Sequence, residues 1–461
     1  MDPISERQSL ISNTGKSNGK NSGGIPSEPI SASQSTKSSI IKLSLVNISG
    51  GLIFGYNTGV ISPVLTLAPF TGYTDINRGL LTCSILVGAM VGSIVGGIIS
   101  ERLGRKLSML VISILTLIGT IGSSLVPPMW WTMAFRAILG VGVGMSAIVC
   151  PTYVGEMSPM EKKGTLGTIF QLAITFGIFI SNVFGFALKN EKYNFRILLA
   201  IGAAPGLFLL ATFFFIQEST KWLNRVNSKK TNSTTLLINQ KKINNKVGLK
   251  GILTKPIGRF SLFIGVILAV NNQLTGINAF MFFSPSIFAT AGVKNGNDPM
   301  IATILLMAWN VITTFIATFL IDRLGRRKLM LVGTLVMTLS SIISAILNLT
   351  ISGTTLGVLS VVLLFIFIAG FEASAGPLFW ILVIEIFPED IRDVGSTILN
   401  SVQWSFNIAL SFSFLSLANL IGNNTFFIFG GFGIICLVIM YIYLPETKSD
   451  DDDDEDEQYS N

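Results

Sequence analysis

Ten polar side chains lie inside stretches that are otherwise apolar: Gln171, Asn182, Asn271, Asn272, Gln273, Asn278, Asn310, Glu372, Gln403 and Asn407, with Trp380 and Trp404 nearby. All but Glu372 are neutral amides. A buried amide without a partner is costly in an apolar medium, so each must meet a hydrogen-bonding group or a ligand. Amides supply donors and acceptors without charge, and an indole supplies a flat apolar face. The combination suits an uncharged polyhydroxylated ring, whose hydroxyls need directional partners while its C–H face stacks. A substrate of formal charge would want more than this. Taken singly, each amide reads equally well as an interhelical hydrogen bond. Covalent chemistry has no candidates: the chain lacks histidine, and Cys83, Cys150 and Cys436 are scattered through apolar stretches. With no catalytic constellation, metal cluster or disulfide framework, the expectation is a protein that is not an enzyme and carries no metal or cofactor.

A second group of residues is charged and occurs twice. Glu101-Arg102-Leu103-Gly104-Arg105-Lys106 returns 221 residues later as Asp322-Arg323-Leu324-Gly325-Arg326-Arg327. Glu156, Pro159 and Lys163 return 229 residues later as Glu385, Pro388 and Arg392. The chain is therefore a duplicated unit, an arrangement by which two helical bundles come to enclose a site between them. Each charged turn packs an acid, bases and a glycine into a few residues. Ion pairs made there could bridge the two halves and break as the halves separate, or the bases could serve only to fix topology.

These residues are positioned by a membrane fold. Of 461 residues 50% are hydrophobic and 12% charged, more than a soluble domain tolerates on its surface. A hydrocarbon core of roughly 30 Å takes about 20 helical residues. Twelve apolar runs meet that length, near 43–66, 79–100, 107–126, 129–150, 164–187, 195–216, 258–282, 299–320, 328–349, 356–381, 394–419 and 424–444. The connections after even-numbered spans hold twenty Lys and Arg, those after odd-numbered spans five. Positive charge is retained in the cytosol, which predicts cytosolic termini and a cytosolic middle loop. The net charge of +7 is then a topological bias rather than a nucleic-acid footprint. The predicted division is a disordered tail (1–40), six spans (41–222), a basic, Asn-rich linker (223–257), six spans (258–447) and an acidic tail (448–461). Glu6…Leu10-Ile11 has the form of an acidic dileucine signal for a sorting adaptor. Glycosylation sequons occur at Asn47, Asn232, Asn348 and Asn423; only the last two fall on the predicted outer side, both close to the membrane. Glycines at 88, 92 and 96 and at 140, 142 and 144 read as close helix packing. The glycines of 50–59 and the pair Gly376-Pro377 weaken helix continuity in spans 1 and 10.

Seven strings, in order, carry a family resemblance: Gly51-Leu52-Ile53-Phe54-Gly55-Tyr56-Asn57-Thr58-Gly59, Arg136-Ala137-Ile138-Leu139-Gly140, Pro151-Thr152-Tyr153-Val154-Gly155-Glu156, Gln273-Leu274-Thr275-Gly276-Ile277-Asn278, Glu372 with Gly376-Pro377 and Trp380, Pro445-Glu446-Thr447-Lys448, and the twin charged turns. From Gly50 to Lys448 the chain resembles a sugar porter of the major facilitator superfamily. The resemblance implies an all-α membrane protein with twelve transmembrane helices in two pseudo-symmetric six-helix bundles, working as a monomer by alternating access. It places Gln171, Gln273, Asn278, Asn310 and Trp380 at hexose-contacting positions, with Asn272, Gln403 and Trp404 aligned at the same site. It assigns Asn57, Arg136, Glu372, Gly376 and Pro377 to gating or coupling. Glu101, Arg102, Arg105, Glu156, Asp322, Arg323, Arg326, Glu385 and Arg392 resemble a cytosolic latch of the outward-facing state.

Departures from the family pattern refine this. Proton-coupled sugar porters carry aspartate where Asn57 stands, near the span 4 arginine that is Arg136 here, whereas animal glucose facilitators share the asparagine. An amide does not exchange a proton near neutral pH, which favours facilitated diffusion. Symport through Glu372, and a sugar sensor that does not transport, remain the alternatives. Phe282-Phe283 replace a frequent tyrosine pair, Gln217-Glu218-Ser219-Thr220-Lys221 replaces Pro-Glu-Ser-Pro-Arg, and Lys163 keeps the charge of the usual arginine without its fork. The sugar is left unnamed. The short first outer loop, the Asn348 sequon and the Glu6…Leu10-Ile11 pattern together lean toward an endolysosomal pool, and the expected setting is the plasma membrane or an endolysosomal membrane.

Overall fold

The structure, a computed structural model, describes residues 32–125, 129–159, 163–231, 249–290, 298–351, 354–388 and 391–447. Contacts group the chain into Met1–Ile40, whose described residues 32–40 are helical, and Ile41–Asn461, whose described residues are mostly helical. Twelve helical segments among the described residues are long and apolar enough to cross a membrane: Ser39–Val64, Asp75–Leu103, Arg105–Leu125, Met129–Met157, Leu166–Ala187, Asn194–Phe213, Pro256–Ala289, Pro299–Ile321, Arg326–Thr350, Thr355–Glu385, Val394–Ile421 and Thr425–Tyr443, numbered here as spans 1 to 12. Each falls on a predicted apolar run. The sorting pattern, Asn232 and the acidic tail lie outside the described residues.

Most of the large side chains that the spans turn outward are apolar. In span 2, Val87, Val91, Ile94 and Ile98 follow one helical face and are exposed, while Thr82, Ser84, Ser93 and Ser100 are buried. Lipid accepts the first group and the interior must satisfy the second. Spans 2 and 4 approach through their glycines: a Cβ at Gly88 or Gly92 would collide with the main-chain oxygen of Ala137 or Val141. Close backbone approach of this kind replaces the hydrophobic drive that lipid removes.

Span 2 turns directly into span 3 at Gly104 (φ +94°), and span 8 into span 9 at Gly325 (φ +79°), a conformation that disfavours any side chain. The duplicated turn in sequence is therefore a duplicated turn in space.

Four spans are interrupted among the described residues, spans 1, 6, 7 and 10, and the positions refine the expectation from sequence. Span 6 divides only at Gly202, between helices Asn194–Ile201 and Ala203–Phe213. Span 1 remains helical through its glycines as far as Gly59. Gly51 and Gly55 lie against the main chain of Phe170 and Ile174 in span 5, so these glycines serve packing rather than a hinge. Span 7 breaks at Leu274-Thr275-Gly276, with Gly276 at φ +108°, between helices Pro256–Gln273 and Ile277–Thr290. Span 10 breaks at Ser374 (φ −137°, ψ −92°), two residues before Gly376. Pro377 then occupies the first turn of the helix Ala375–Glu385, where no amide hydrogen is required of it.

The first six and last six spans meet along two seams, span 2 against span 11 and span 5 against span 8. At the end opposite the basic turns, residues Ile61–Val64 also pack on the second helix of span 7. Span 4 and the helix Ala375–Glu385 have their principal contacts within their own halves.

Candidate functional site

The breaks in spans 7 and 10 place the amide cluster. Asn272 and Gln273 end the first helix of span 7, and Asn278 begins the second. The Nδ2 of Asn278 donates to Gln273 Oε1 across the break. Asn272 is the hub: its Nδ2 donates to the Ala375 carbonyl at 2.7 Å, and its Oδ1 accepts from Gln273 Nε2 at 2.6 Å and Gln403 Nε2 at 3.4 Å. One amide thus ties spans 7, 10 and 11 together where two of them are unwound.

Around this hub stand acceptors without donors. Glu372, buried in span 10, has Thr314 of span 8 and Gln171 of span 5 beside its carboxyl, the second from the other half. Its Oε2 has no partner, and neither do Asn310 Oδ1 and Gln403 Oε1. Asn310 Nδ2 has only the Met281 sulfur, at 3.8 Å. Three buried acceptor oxygens fit a ligand rich in O–H donors. Gly376 keeps the approach to Glu372 clear, since a Cβ there would stand 3.2 Å from Oε2. Trp404 is fully buried with its ring 5.7 Å from Phe54 of span 1, and Trp380 is half-buried, edge-on to Phe379 at 5.4 Å.

Other amides make packing contacts, Asn271 with its Oδ1 left unpartnered. Asn271 donates to Thr334 Oγ1 in span 9 at 3.0 Å, Asn182 donates to the Ile178 carbonyl at 2.9 Å, and Asn407 accepts from Ser411 at 3.1 Å. Asn47 is likewise buried and bonded to the Leu166 carbonyl at 2.7 Å, which removes its sequon from solvent.

Asn57 and Arg136 are neighbours through the main chain. Asn57 Nδ2 donates to the carbonyls of Ile53 at 3.0 Å and Gly202 at 3.2 Å. Arg136 Nη2 reaches the Asn57 carbonyl at 3.5 Å, and the fully buried guanidinium leaves Nε and Nη1 unpartnered.

At the basic end the two halves repeat one network. Arg105 grips Glu156 with two hydrogen bonds, Nε to Oε2 at 2.8 Å and Nη2 to Oε1 at 2.6 Å. Arg326 stands 3.9 Å from Glu385 in the equivalent place. Glu218 accepts from the main-chain N–H of Arg105 at 2.8 Å and of Lys106 at 3.1 Å; Glu446 accepts from Arg326 at 2.9 Å and Arg327 at 3.1 Å. Both carboxylates therefore cap the first turn of a span, where unpaired amides and the helix dipole favour negative charge. Ser219 donates to Glu156 at 2.6 Å, and Thr447 to Glu385. Each of these pairs is internal to one half; the repeated charges left open both bridges between the halves and a purely topological role, and none of the pairs named here is such a bridge. The Glu101 carbonyl accepts from Trp222 Nε1 at 2.9 Å, Arg102 is exposed, and Arg392 Nε donates to the Phe387 carbonyl at 3.4 Å. Asp322 and Arg323 end the span 8 helix, and their side chains lie outside the described residues. The capping role of Glu218 and Glu446 escaped the sequence reading. Its signal was present: Glu218 and Ser219 recur as Glu446 and Thr447, 228 residues on.

Comparison with known proteins shows the family. The family model described as "Sugar (and other) transporter" matches residues 43–454. A D-xylose transporter of Levilactobacillus brevis is 29% identical over 410 residues, covering 85% of this chain and 89% of the relative. A galactose-proton symporter of Escherichia coli K12 is 30% identical over 420 residues, covering 86% and 89%. The Escherichia coli xylose transporter in a partially occluded inward-open conformation superposes with a TM-score of 0.73 at 25% identity, over 89% of this chain and 99% of that one. This multi-pass membrane protein belongs to the sugar transporter family of the major facilitator superfamily.

Proposed function

We propose that the protein carries a hexose-like sugar down its concentration gradient by alternating access, the first and last six spans acting as two bundles around one central site. Gln171, Asn272, Gln273, Asn278, Asn310, Gln403, Trp380 and Trp404 bind the sugar, and the unpartnered oxygens of Glu372, Asn310 and Gln403 accept its hydroxyl hydrogens. Binding energy spent on both halves, through Gln171 on one side and Asn272 with Glu372 on the other, stabilises an occluded state. The breaks in spans 7 and 10 give the two ends of the site separate hinges. The basic turns, cytosolic by the excess of Lys and Arg, stiffen each half as it rocks.

Facilitated diffusion is carried by one observation: beside the buried Arg136 stands Asn57, whose amide is committed to the carbonyls of Ile53 and Gly202. Among the described residues no carboxylate bonds Arg136 to take up and release a proton there. The test is counterflow of labelled sugars in reconstituted vesicles, with and without an imposed pH difference. Equal exchange under both conditions is expected, and accumulation driven by the pH difference would overturn the mechanism. The second reading, proton symport through Glu372, is favoured by the unpartnered Oε2 of that buried carboxyl and by likeness to a galactose-proton symporter. Glu372→Gln separates the two, since symport through this group would lose its gradient dependence while exchange persisted.

A further inference from the structure

Span 2 and span 11 meet along a seam that joins the halves, and its contacts advance along one face of each helix. Asn419 Nδ2 donates to the Asp75 carboxylate. Four residues on, Gly79 lies where a Cβ would stand 2.8 Å from the Phe412 carbonyl oxygen. Cys83 Sγ then lies 3.4 Å from the Ile408 carbonyl oxygen, and Ser405 Oγ stands 3.6 Å from Met90 Sδ. Three of these contacts are apolar or weak. The first is a hydrogen bond to a charged group, stronger than a neutral one, and it sits at the extremity of the seam where tilting of the halves opens the widest gap. Thr74 fixes the start of span 2 by accepting from the Asn77 amide at 3.4 Å, so the Asp75 side chain leaves from a capped helix.

We propose that Asp75 and Asn419 form a latch at the end of the protein opposite the basic turns, and that its bond sets the balance between closed and open forms of that end. This rests on the alternating-access reading above. Asp75 binds no sugar; it is a positioning residue that acts through the equilibrium between the two forms. A bond made only in the closed form shifts a two-state balance by its full strength, here about tenfold.

Cys83 is a native reporter, because it is buried in the same seam while Cys150 and Cys436 are buried elsewhere. The experiment measures the rate at which a membrane-impermeant maleimide, applied from the latch side to the full-length protein in vesicles, alkylates Cys83, read by peptide mass spectrometry. Asn419→Ala and Asp75→Ala are each expected to raise the rate about tenfold. The double variant should raise it no further, and the exchange of Asp75→Asn with Asn419→Asp should restore most of the original rate. Additive effects, or an exchange that fails to restore protection, would overturn the latch and leave a passive surface contact. The melting temperatures of all variants are recorded alongside, and the exchanged pair decides the matter if either alanine variant unfolds. Variants whose alkylation responds as stated, in a protein that exchanges no labelled sugar in counterflow, would instead sink the transport reading and spare the latch.

Discussion

At the scale of the residue, Asn271 and Asn272 are adjacent in sequence and both buried, yet one bonds to Thr334 in span 9 and the other to Ala375, Gln273 and Gln403 at the candidate site. Successive helical positions point about 100° apart, so neighbours serve different surfaces. Asn272→Ala should leave the Gln273 and Gln403 amides and the Ala375 carbonyl short of a partner. A buried group so deprived costs about 1–3 kcal/mol, and apparent sugar affinity in counterflow is expected to fall about tenfold. Asn271→Ala should instead lower the melting temperature and leave affinity unchanged. Asn57→Asp introduces a carboxyl beside the Arg136 guanidinium. Exchange is then expected to become dependent on pH, which stopped-flow flux at a series of pH values would detect. An unchanged profile would mean that the two groups do not interact.

Among the elements, span 1 departs most from its sequence pattern. Its glycines look like points of weakness, but the helix crosses them unbroken because span 5 lies against them. Gly55→Val should collide with the Ile174 carbonyl and cost about 1–3 kcal/mol or more, lowering the melting temperature measured in detergent. Gly97 in span 2 has open space where a Cβ would go, and Gly97→Ala should leave the melting temperature unchanged. The break in span 10 was legible as a region from Gly376-Pro377, whereas the break in span 7 at Gly276 was not read from the sequence. The exact position of the span 10 break was not legible, since a proline is as much at home in the first turn after a break as at the break itself.

Across the whole molecule, the duplicated turns are alike in plan and unequal in strength. The Arg105–Glu156 pair is bidentate with side chains 5% and 13% exposed, whereas Arg326–Glu385 spans 3.9 Å with side chains 15% and 30% exposed. Removing one partner of a buried pair strands the other, at a cost near the lower end of roughly 3–5 kcal/mol, while partly solvated pairs are worth about 1 kcal/mol or less. Glu156→Gln is accordingly expected to lower the thermal midpoint clearly more than Glu385→Gln. Equal losses would show that the duplicated halves are mechanically equivalent despite their geometry.

The sequence by itself determined the twelve spans, the duplication, the membrane setting and the kinds of side chain available for a site. Hydropathy and residue identity are local properties, and the length of a bilayer-crossing helix does not depend on its neighbours. Only the tertiary structure decided which amides meet, where the spans break, that the described ion pairs stay within one half, and that Glu218 and Glu446 cap the turns beside them. Those outcomes join residues such as Asn272 and Gln403, which are 131 positions apart. Helical periodicity tells which side chains share a face, but the packing of the other spans selects what stands opposite that face.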